Sequence, residues 1–222
     1  MGKITDHTNT MKTALIAGST GLIGSQLLEL LLASSRYDKV VALTRKPLPV
    51  HSKLVQIKME PDTINELNQE LRADDVFCCL GTTMAKAGSK ENFYQVDFHY
   101  PFLLAKSAFT LGAKQYLLVS SLGANKNSLV YYSRVKGEVE EAVAFIDFQT
   151  VHIFRPSFLS GPRTEVRPGE EAAKLFYKIF GFIIPKKYKG LESIKVARAM
   201  LHFASQDQEG KFIHESGELQ EF

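Results

Sequence analysis

Short apolar runs alternate with stretches of helical periodicity along most of the chain. The first run leads into glycines at positions 18, 21 and 24, and the apolar stretch LLELLLA continues at helical spacing. Such runs, rich in Val, Ile and Leu, are typical of buried strands. We predict strands over the run that begins at residue 14 and over residues 39–45, 54–59, 75–81, 115–121 and 150–156, with residues 211–214 as a further candidate.

Helical segments separate the predicted strands. Besides the one that follows Gly24, they cover residues 91–111, 131–144, 174–185 and 192–204, and residues 65–71 form a short amphipathic connector. Strands joined by crossovers long enough to hold a helix form a parallel sheet that is covered on both faces. The pattern therefore predicts an α/β protein with a doubly wound Rossmann fold, in which ligands lie beyond the carboxyl ends of the strands.

Length and composition favour one domain. The chain has 222 residues, 45% of them hydrophobic, which is enough for one buried core and short for two. We predict a single Rossmann domain over residues 1–222. Within it, residues 157–190 form a small lid or cap on the substrate side, because residues 155–170 contain three prolines and two glycines. The apolar segment 174–185 covers the core or the cleft; contact with a membrane surface or a homodimer partner is the alternative.

Charge and cysteine content exclude several classes of function. Lys and Arg (27) against Asp and Glu (24) give a formal net charge of +3, without the clustered basicity of nucleic-acid-binding proteins. Cys78 and Cys79 are adjacent and offer neither a disulfide framework nor metal-ligand spacing. The N-terminal MGKITDHTNT lacks the apolar core of a secretion signal, and no apolar run approaches the roughly 18 residues that span a bilayer. These observations predict a cytoplasmic protein without a metal site or a membrane span.

The glycine-rich turn after the first strand has the spacing of a dinucleotide-phosphate cradle. Gly18 allows a sharp turn, Gly21 allows the backbone to approach a pyrophosphate, and Gly24 allows the helix to pack against the sheet. The free N–H groups at the start of the helix would face the anion. A tight turn without a ligand is the alternative. The predicted cofactor-binding residues are Gly18, Ser19, Thr20, Gly21, Leu22, Ile23 and Gly24.

The second predicted strand ends in two basic residues, Arg45 and Lys46. Enzymes that bind NAD usually have an acidic residue there for the ribose 2′-hydroxyl. A guanidinium can hold a 2′-phosphate through two charge-assisted hydrogen bonds, and an ammonium adds a point charge. We therefore predict that NADP(H) is preferred over NAD(H). The alternative is that both side chains are merely solvated, since Pro47 marks the start of a loop.

The end of the fourth predicted strand reads Leu80, Gly81, Thr82 and Thr83. It places a residue without a side chain, followed by two hydroxyl groups, where a cofactor would pass the edge of the sheet. An ordinary turn of small residues would look similar. We include these four residues in the predicted cofactor site.

A tyrosine and a lysine lie on one face of the helix predicted over residues 131–144. Tyr132 and Lys136 are four residues apart, and Ser120 and Ser121 close the strand before them. A phenol has an ordinary pKa of about 10, and a nearby ammonium favours its ionised form, so the pair can transfer a proton near neutral pH. Tyr131 is a weaker candidate because Val135 lies four residues after it. The predicted catalytic residues are Tyr132, Lys136 and one of the two serines; Tyr132 and Lys136 also face the cofactor.

With these features the chain resembles the short-chain dehydrogenase/reductases, and within them the atypical Tat-interacting-protein oxidoreductases. The similar segments are FCCLGTT (77–83), KAG (86–88), LLVSSLGA (117–124), VKGEVE (135–140), FRP (154–156) and RPGE (167–170). The resemblance implies NADPH binding and a Ser–Tyr–Lys arrangement, and it favours Ser121 over Ser120. One position departs from the usual pattern: the extended branch has asparagine where this chain has Asp97, and an aspartate has no amide proton to donate.

Two functions from different classes remain open at this level. The first is NADP(H)-dependent interconversion of a carbonyl and an alcohol, with Tyr132 as general acid/base. The second is an NADPH-binding regulatory or interaction module without turnover, although such a module has no need of a general acid. A nucleotide-sugar epimerase or dehydratase is a weaker alternative, because the chain is short for the substrate domain of those enzymes. The substrate is a small molecule that the sequence does not identify.

Overall fold

A computed structural model describes residues 12–58, 69–161 and 190–222. The strands are β1 (Lys12–Ala17), β2 (Tyr37–Thr44), β3 (Leu54–Lys58), β4 (Asp75–Cys78), β5 (Gln115–Val119), β6 (Thr150–Arg155), β7 (Leu159–Ser160), β8 (Leu191–Glu192) and β9 (Gly210–Glu215). The helices are α1 (Leu22–Ala33), α2 (Met84–Ala87), α3 (Lys90–Tyr94), α4 (Tyr100–Thr110), α5 (Tyr131–Ala144), α6 (Ser193–Ala204) and α7 (Ser216–Leu219). A 3-10 turn, Gln69–Leu71, precedes β4, and a π-helical turn, Gln95–His99, joins α3 to α4.

Seven strands form one parallel sheet in the order β3-β2-β1-β4-β5-β6-β9, and β7 pairs with β8 separately. The chain moves outward from β1 to β2 and β3, then returns to the other side of β1 with β4. This confirms the predicted doubly wound fold. The direction of winding changes between β1 and β4, and in such sheets this switch point is where ligands bind.

The sheet separates two hydrophobic cores. Neighbouring residues of β1 point to opposite faces, so Leu15 packs with Leu104 of α4 and Val139 of α5. Ile16 packs on the other face, in the core that includes Leu27 of α1 and residues of α6. Helices therefore cover both faces of the sheet, as predicted. Within the described ranges, every helix is too short or too polar to cross a bilayer.

The predicted strands are confirmed, but several end earlier than the sequence suggested. β4 ends at Cys78 and β5 at Val119, so Leu80, Gly81, Ser120 and Ser121 lie in loops beyond the carboxyl edge of the sheet. Residues 211–214 belong to β9, which pairs with β6 as the seventh strand. The helix α5 has the predicted limits.

The long helix predicted over residues 91–111 is interrupted. A π-helical turn separates α3 from α4, and the amide of Tyr100 bonds to the carbonyl of Gln95 across five residues. Pro101 explains the interruption, because proline has no N–H to donate to the carbonyl of Asp97 four residues earlier.

Some predicted segments lie outside the described residues. The helix over residues 174–185 is entirely outside them, and only the ends of the lid over 157–190, including β7, are described. Of the connector over 65–71, the described part is the 3-10 turn. The single-domain boundary and the lid therefore stay predictions.

Candidate functional site

The turn between β1 and α1 needs glycine at two positions. Gly18 has φ +84°, and a methyl group there would lie 2.5 Å from the carbonyl oxygen of Cys79, just after β4. A methyl group on Gly24 would overlap the carbonyl oxygen of Gly18. The turn therefore packs tightly against the end of β4 on one side, and against the first turn of α1 on the other. The three atoms nearest to such a methyl group on Gly24 belong to Gly18 and Ser19 of the turn.

The third glycine and its neighbours form an opening suited to an anion. Gly21 is exposed, its amide donates to the carbonyl of Gly18 at 2.9 Å, and it begins α1 without a side-chain cap. Ser19 is only 2% exposed, and its hydroxyl has no hydrogen-bond partner within the described part of the chain. A phosphate would supply acceptors both to this hydroxyl and to the first amides of α1. The residues thus fit the cradle that the sequence predicts.

The remaining predicted cradle residues differ in what they can offer. Thr20 is exposed and Leu22 is half-buried, so both side chains are accessible. Ile23 is buried in the core against β1, so only its backbone is available to a ligand.

Arg45 and Lys46 follow β2, which is the neighbour of β1 in the sheet. Both side chains are exposed, and neither has a hydrogen-bond or ion-pair partner among residues 12–58, 69–161 and 190–222. The buried hydroxyl of Thr44 donates to the carbonyl of Lys46 at 2.6 Å and closes this loop. Two cationic side chains are therefore presented beside the switch point.

The loop after β4 lies between the glycine turn and α5 and contacts both. A methyl group on Gly81 would lie 3.4 Å from Oδ1 of Asp97 and 3.5 Å from Nζ of Lys136. The amide of Thr82 donates to Oδ2 of Asp97 at 2.9 Å. The hydroxyl oxygen of Thr83 caps α2 by accepting from the amide of Lys86 at 3.2 Å. Leu80 packs against the core that contains α4 and α5.

Lys136 is buried at the centre of this region. Its ammonium lies 2.8 Å from Oδ1 of Asp97, and both side chains are at most 5% exposed. Burial pulls the pKa of Lys136 down, but the Asp97 carboxylate and the Tyr132 phenol outweigh it and hold the pKa above its ordinary value. The ammonium is therefore kept charged one helical turn from Tyr132.

The two neighbouring tyrosines of α5 have different surroundings. Tyr132 is half-buried, and its ring centroid lies 5.4 Å from that of the fully buried Phe93. The hydroxyl of Tyr131 donates to the carbonyl of Lys90 at 3.0 Å, and the ammonium of Lys90 lies over its ring. The hydroxyl of Tyr131 is thus hydrogen-bonded to α3.

The two serines after β5 also differ. Ser120 is buried, and its hydroxyl donates to a carboxylate oxygen of Glu140 on α5. Ser121 is half-buried, and its hydroxyl oxygen is shielded from solvent without a hydrogen-bond partner within the described residues.

Sequence reasoning did not assign roles to Phe93, Asp97 and Glu140, which all contact predicted site residues. A signal for the first two was present: Phe93 and Asp97 are four residues apart, the same spacing as Tyr132 and Lys136. In the structure, Phe93 contacts Tyr132 and Asp97 contacts Lys136, so two matching helical faces meet. Glu140 lies within the VKGEVE segment, but nothing in the sequence indicated that Ser120 is its partner.

Solved structures share the fold. An example is the enzyme WbmH of Bordetella bronchiseptica in complex with NAD⁺, with a TM-score of 0.71 and 19% identity, covering 93% of this chain and 76% of that one. At this identity the likeness concerns the fold alone.

The relatives are proteins of similar length. Protein FMP52, mitochondrial, of Debaryomyces hansenii is 33% identical over 205 residues, 87% of this chain and 88% of that protein. Protein HTATIP2 of Rattus norvegicus is 35% identical over 198 residues, 86% of this chain and 80% of that protein.

The names of these relatives correct one prediction. FMP52 proteins from several species are named as mitochondrial, so the predicted cytoplasmic location is wrong. That prediction depended on the lack of an apolar secretion signal, a feature that does not separate the cytoplasm from the mitochondrion.

Family membership follows from two findings that agree. The family described as "NAD dependent epimerase/dehydratase family" matches residues 14–175, which run from the glycine turn through the Tyr–Lys pair. The match to HTATIP2 confirms the resemblance to the Tat-interacting-protein branch. The chain therefore belongs to the NAD dependent epimerase/dehydratase family, and the HTATIP2 and FMP52 proteins are its relatives.

Proposed function

We propose that this protein is an NADP(H)-dependent oxidoreductase that interconverts a carbonyl and an alcohol, with Tyr132 as general acid/base. The observation that carries the proposal is the buried, charged Lys136 one turn from Tyr132. A charged ammonium beside a phenol serves proton transfer, and it lies at the carboxyl edge of the sheet next to Gly81.

The cofactor would lie across the ends of β1, β2 and β4. The exposed Gly21, the buried hydroxyl of Ser19 and the first amides of α1 would hold its pyrophosphate. Arg45 and Lys46 would hold a 2′-phosphate, which supports a preference for NADP(H). Gly81 leaves room for the cofactor to pass Lys136. When bound, the nicotinamide supplies or accepts the hydride.

Each site residue has a separate task in this proposal. Tyr132 donates a proton to the carbonyl oxygen during reduction and accepts it during oxidation. Lys136 lowers the cost of the phenolate that forms in between. Ser121 directs its hydroxyl to the same substrate oxygen, because its hydroxyl is free of partners within the described residues, whereas that of Ser120 is bound to Glu140.

The family description suggests a second candidate, epimerisation or dehydration of a nucleotide sugar. The chain spans about three quarters of the length of the solved structures that share its fold, among them one titled as UDP-glucose 4-epimerase. The names of the FMP52 relatives support a mitochondrial location for this protein too.

The test is to follow NADPH oxidation by the full chain with a panel of aldehydes and ketones, and to assay UDP-glucose for epimerisation. We expect at least one carbonyl to be reduced. The Tyr132→Phe variant should bind NADPH as well as the native protein but turn over about 10²–10⁴-fold more slowly. Tyr131→Phe is the matched control and should stay near native.

Two results would overturn the proposal. If the native protein reduced no carbonyl but bound NADPH, an NADPH-dependent binding module would become the better explanation. If Tyr132→Phe retained full turnover, Tyr132 would not be the general acid.

A further inference from the structure

Asp97 uses both carboxylate oxygens to join two parts of the candidate site. Oδ1 lies 2.8 Å from the ammonium of Lys136, and Oδ2 accepts a hydrogen bond of 2.9 Å from the amide of Thr82. The carboxylate is fully buried. One side chain therefore ties α5 to the loop that follows β4.

We propose that Asp97 is a positioning residue that holds Lys136 in place and keeps it charged, and that anchors it to the Thr82 loop. The proposal deepens the proposed function, because Lys136 acts there as the partner of Tyr132. Asp97 itself has no contact with the substrate in this scheme.

For the ionisation of Lys136, the charge of Asp97 matters more than the shape of its side chain. Lys136 is at most 5% exposed, and a buried ammonium without a counter-ion tends to lose its proton. The titratable groups that act on the ammonium are Asp97 from the π-helical turn, Tyr132 from its own helix and Cys78 from β4. Burial raises the pKa of the Cys78 thiol, so that group stays neutral. Among these groups, Asp97 is the one with a carboxylate oxygen at ion-pair distance, 2.8 Å, from the ammonium.

The local backbone explains how Asp97 reaches this position. It lies in the π-helical turn that Pro101 causes, and π-turns often mark functional positions. Phe93, one turn earlier, contacts the ring of Tyr132, so the α3 side of the site supports both members of the Tyr–Lys pair. An asparagine would fit the same space and could still accept from Thr82, but it would carry no charge.

The decisive experiment measures the ionisation of Lys136 directly, without any reaction. The full chain would be labelled with ε-¹³C lysine, and the Lys136 signal assigned through its loss in Lys136→Met. We expect Asp97→Asn to lower the pKa of Lys136 by at least about one unit, because the buried ammonium loses its counter-ion. Glu138→Gln is the matched control, since Glu138 pairs only weakly with Arg134 at 3.9 Å on the outer face of α5. It should leave the Lys136 titration unchanged.

A second measurement decides the question even if Asp97→Asn does not fold. Lys136→Met leaves the buried Asp97 carboxylate unpaired and should lower the melting temperature by about 6–20 °C. If the two residues are a pair, the double variant Asp97→Asn with Lys136→Met should have a higher melting temperature than Lys136→Met alone. If the double variant melts lower than Lys136→Met, the pairing is overturned.

The outcomes separate this inference from the proposed function. An unchanged Lys136 titration in a folded Asp97→Asn variant would overturn the role of Asp97, even if the native protein reduced carbonyls. Conversely, if the native protein reduced no carbonyl, the proposed function would be contradicted. The Lys136 titration would still test the role of Asp97. If a substrate is found, the alkaline limb of kcat/KM in Asp97→Asn should move to lower pH, a change that a purely structural role would not produce.

Discussion

Ser120 donates its hydroxyl hydrogen bond to the buried carboxylate of Glu140, twenty residues later in the chain. Glu140 in turn binds the guanidinium of Arg155 at 2.6 Å, and Arg155 reaches Glu215 on β9 at 3.0 Å. The amide of Ser120 also donates to the carbonyl of Phe154 at 2.7 Å. Ser120 therefore belongs to a network that joins β5, α5, β6 and β9.

This arrangement predicts different effects for the two neighbouring serines. Ser121→Ala should lower turnover of an accepted carbonyl by about 10-fold or more, with little change in stability, because its hydroxyl has no partner to lose within the described residues. Ser120→Ala should cost about 1–3 kcal/mol of stability, since it removes a buried hydrogen bond to a charged group. Urea unfolding and steady-state kinetics on both variants measure these effects. The opposite pattern would show that Ser120 is the substrate-facing serine.

Arg45 should determine the choice of cofactor. Native protein should bind NADPH more tightly than NADH, and Arg45→Asp should erase or reverse that preference, because a carboxylate repels the 2′-phosphate and accepts from a 2′-hydroxyl. Titration calorimetry with both cofactors measures this. Arg72→Asp, which makes the same charge change at an exposed residue before β4, should leave the preference unaltered. Equal affinities for the two cofactors in the native protein would contradict the prediction.

The glycine turn offers a test that separates binding from folding. Within the described residues, a methyl group on Gly21 would lie within 4 Å only of the carbonyl oxygen of Gly18, at 3.2 Å. We expect a larger side chain there to occupy the pyrophosphate position. Gly21→Val should therefore weaken NADPH binding by at least about 10-fold while melting near the native temperature. Gly24→Val should instead destabilise the fold, because its side chain would overlap the backbone of Gly18. Unchanged NADPH affinity in Gly21→Val would place the cofactor elsewhere.

A buried histidine pair should make stability depend on pH. Nδ1 of His152 lies 2.9 Å from Nε2 of His214, and burial together with His214 lowers the pKa of His152 from 6.5 to about 4. The unfolded chain therefore binds a proton at a higher pH than the folded one, and stability falls as the pH drops from about 6.5 towards 4. Between pH 7.5 and 5 the loss from this residue should be about 2 kcal/mol.

Urea unfolding at a series of pH values checks this. In His152→Phe, which keeps an aromatic ring in the cluster with Phe154 and Phe203, the decline above pH 5 should be smaller by that amount. Parallel stability curves for the two proteins would show that His152 has the same pKa in the folded and the unfolded chain.

The sequence by itself determined the fold class and predicted where the candidate site lies. Strands buried on both faces must be continuously apolar, and their alternation with helical segments leaves a doubly wound sheet as the simplest solution. The glycine at position 18 is visible in sequence because only glycine readily adopts a positive φ. Tyr132 and Lys136 are visible because a spacing of four always shares a helical face. These features depend on local geometry.

The tertiary structure decided what depends on contacts between distant segments. The exact ends of β4 and β5 follow from their partners in the sheet, and a shift of one residue exchanges the environments of Ser120 and Ser121. The partner of Lys136 could not be read from the chain, because Asp97 reaches it only through the π-helical turn before Pro101 and the packing of that turn on α5. Electrostatic pairing of buried groups depends on distance in space, and sequence separation does not encode that distance.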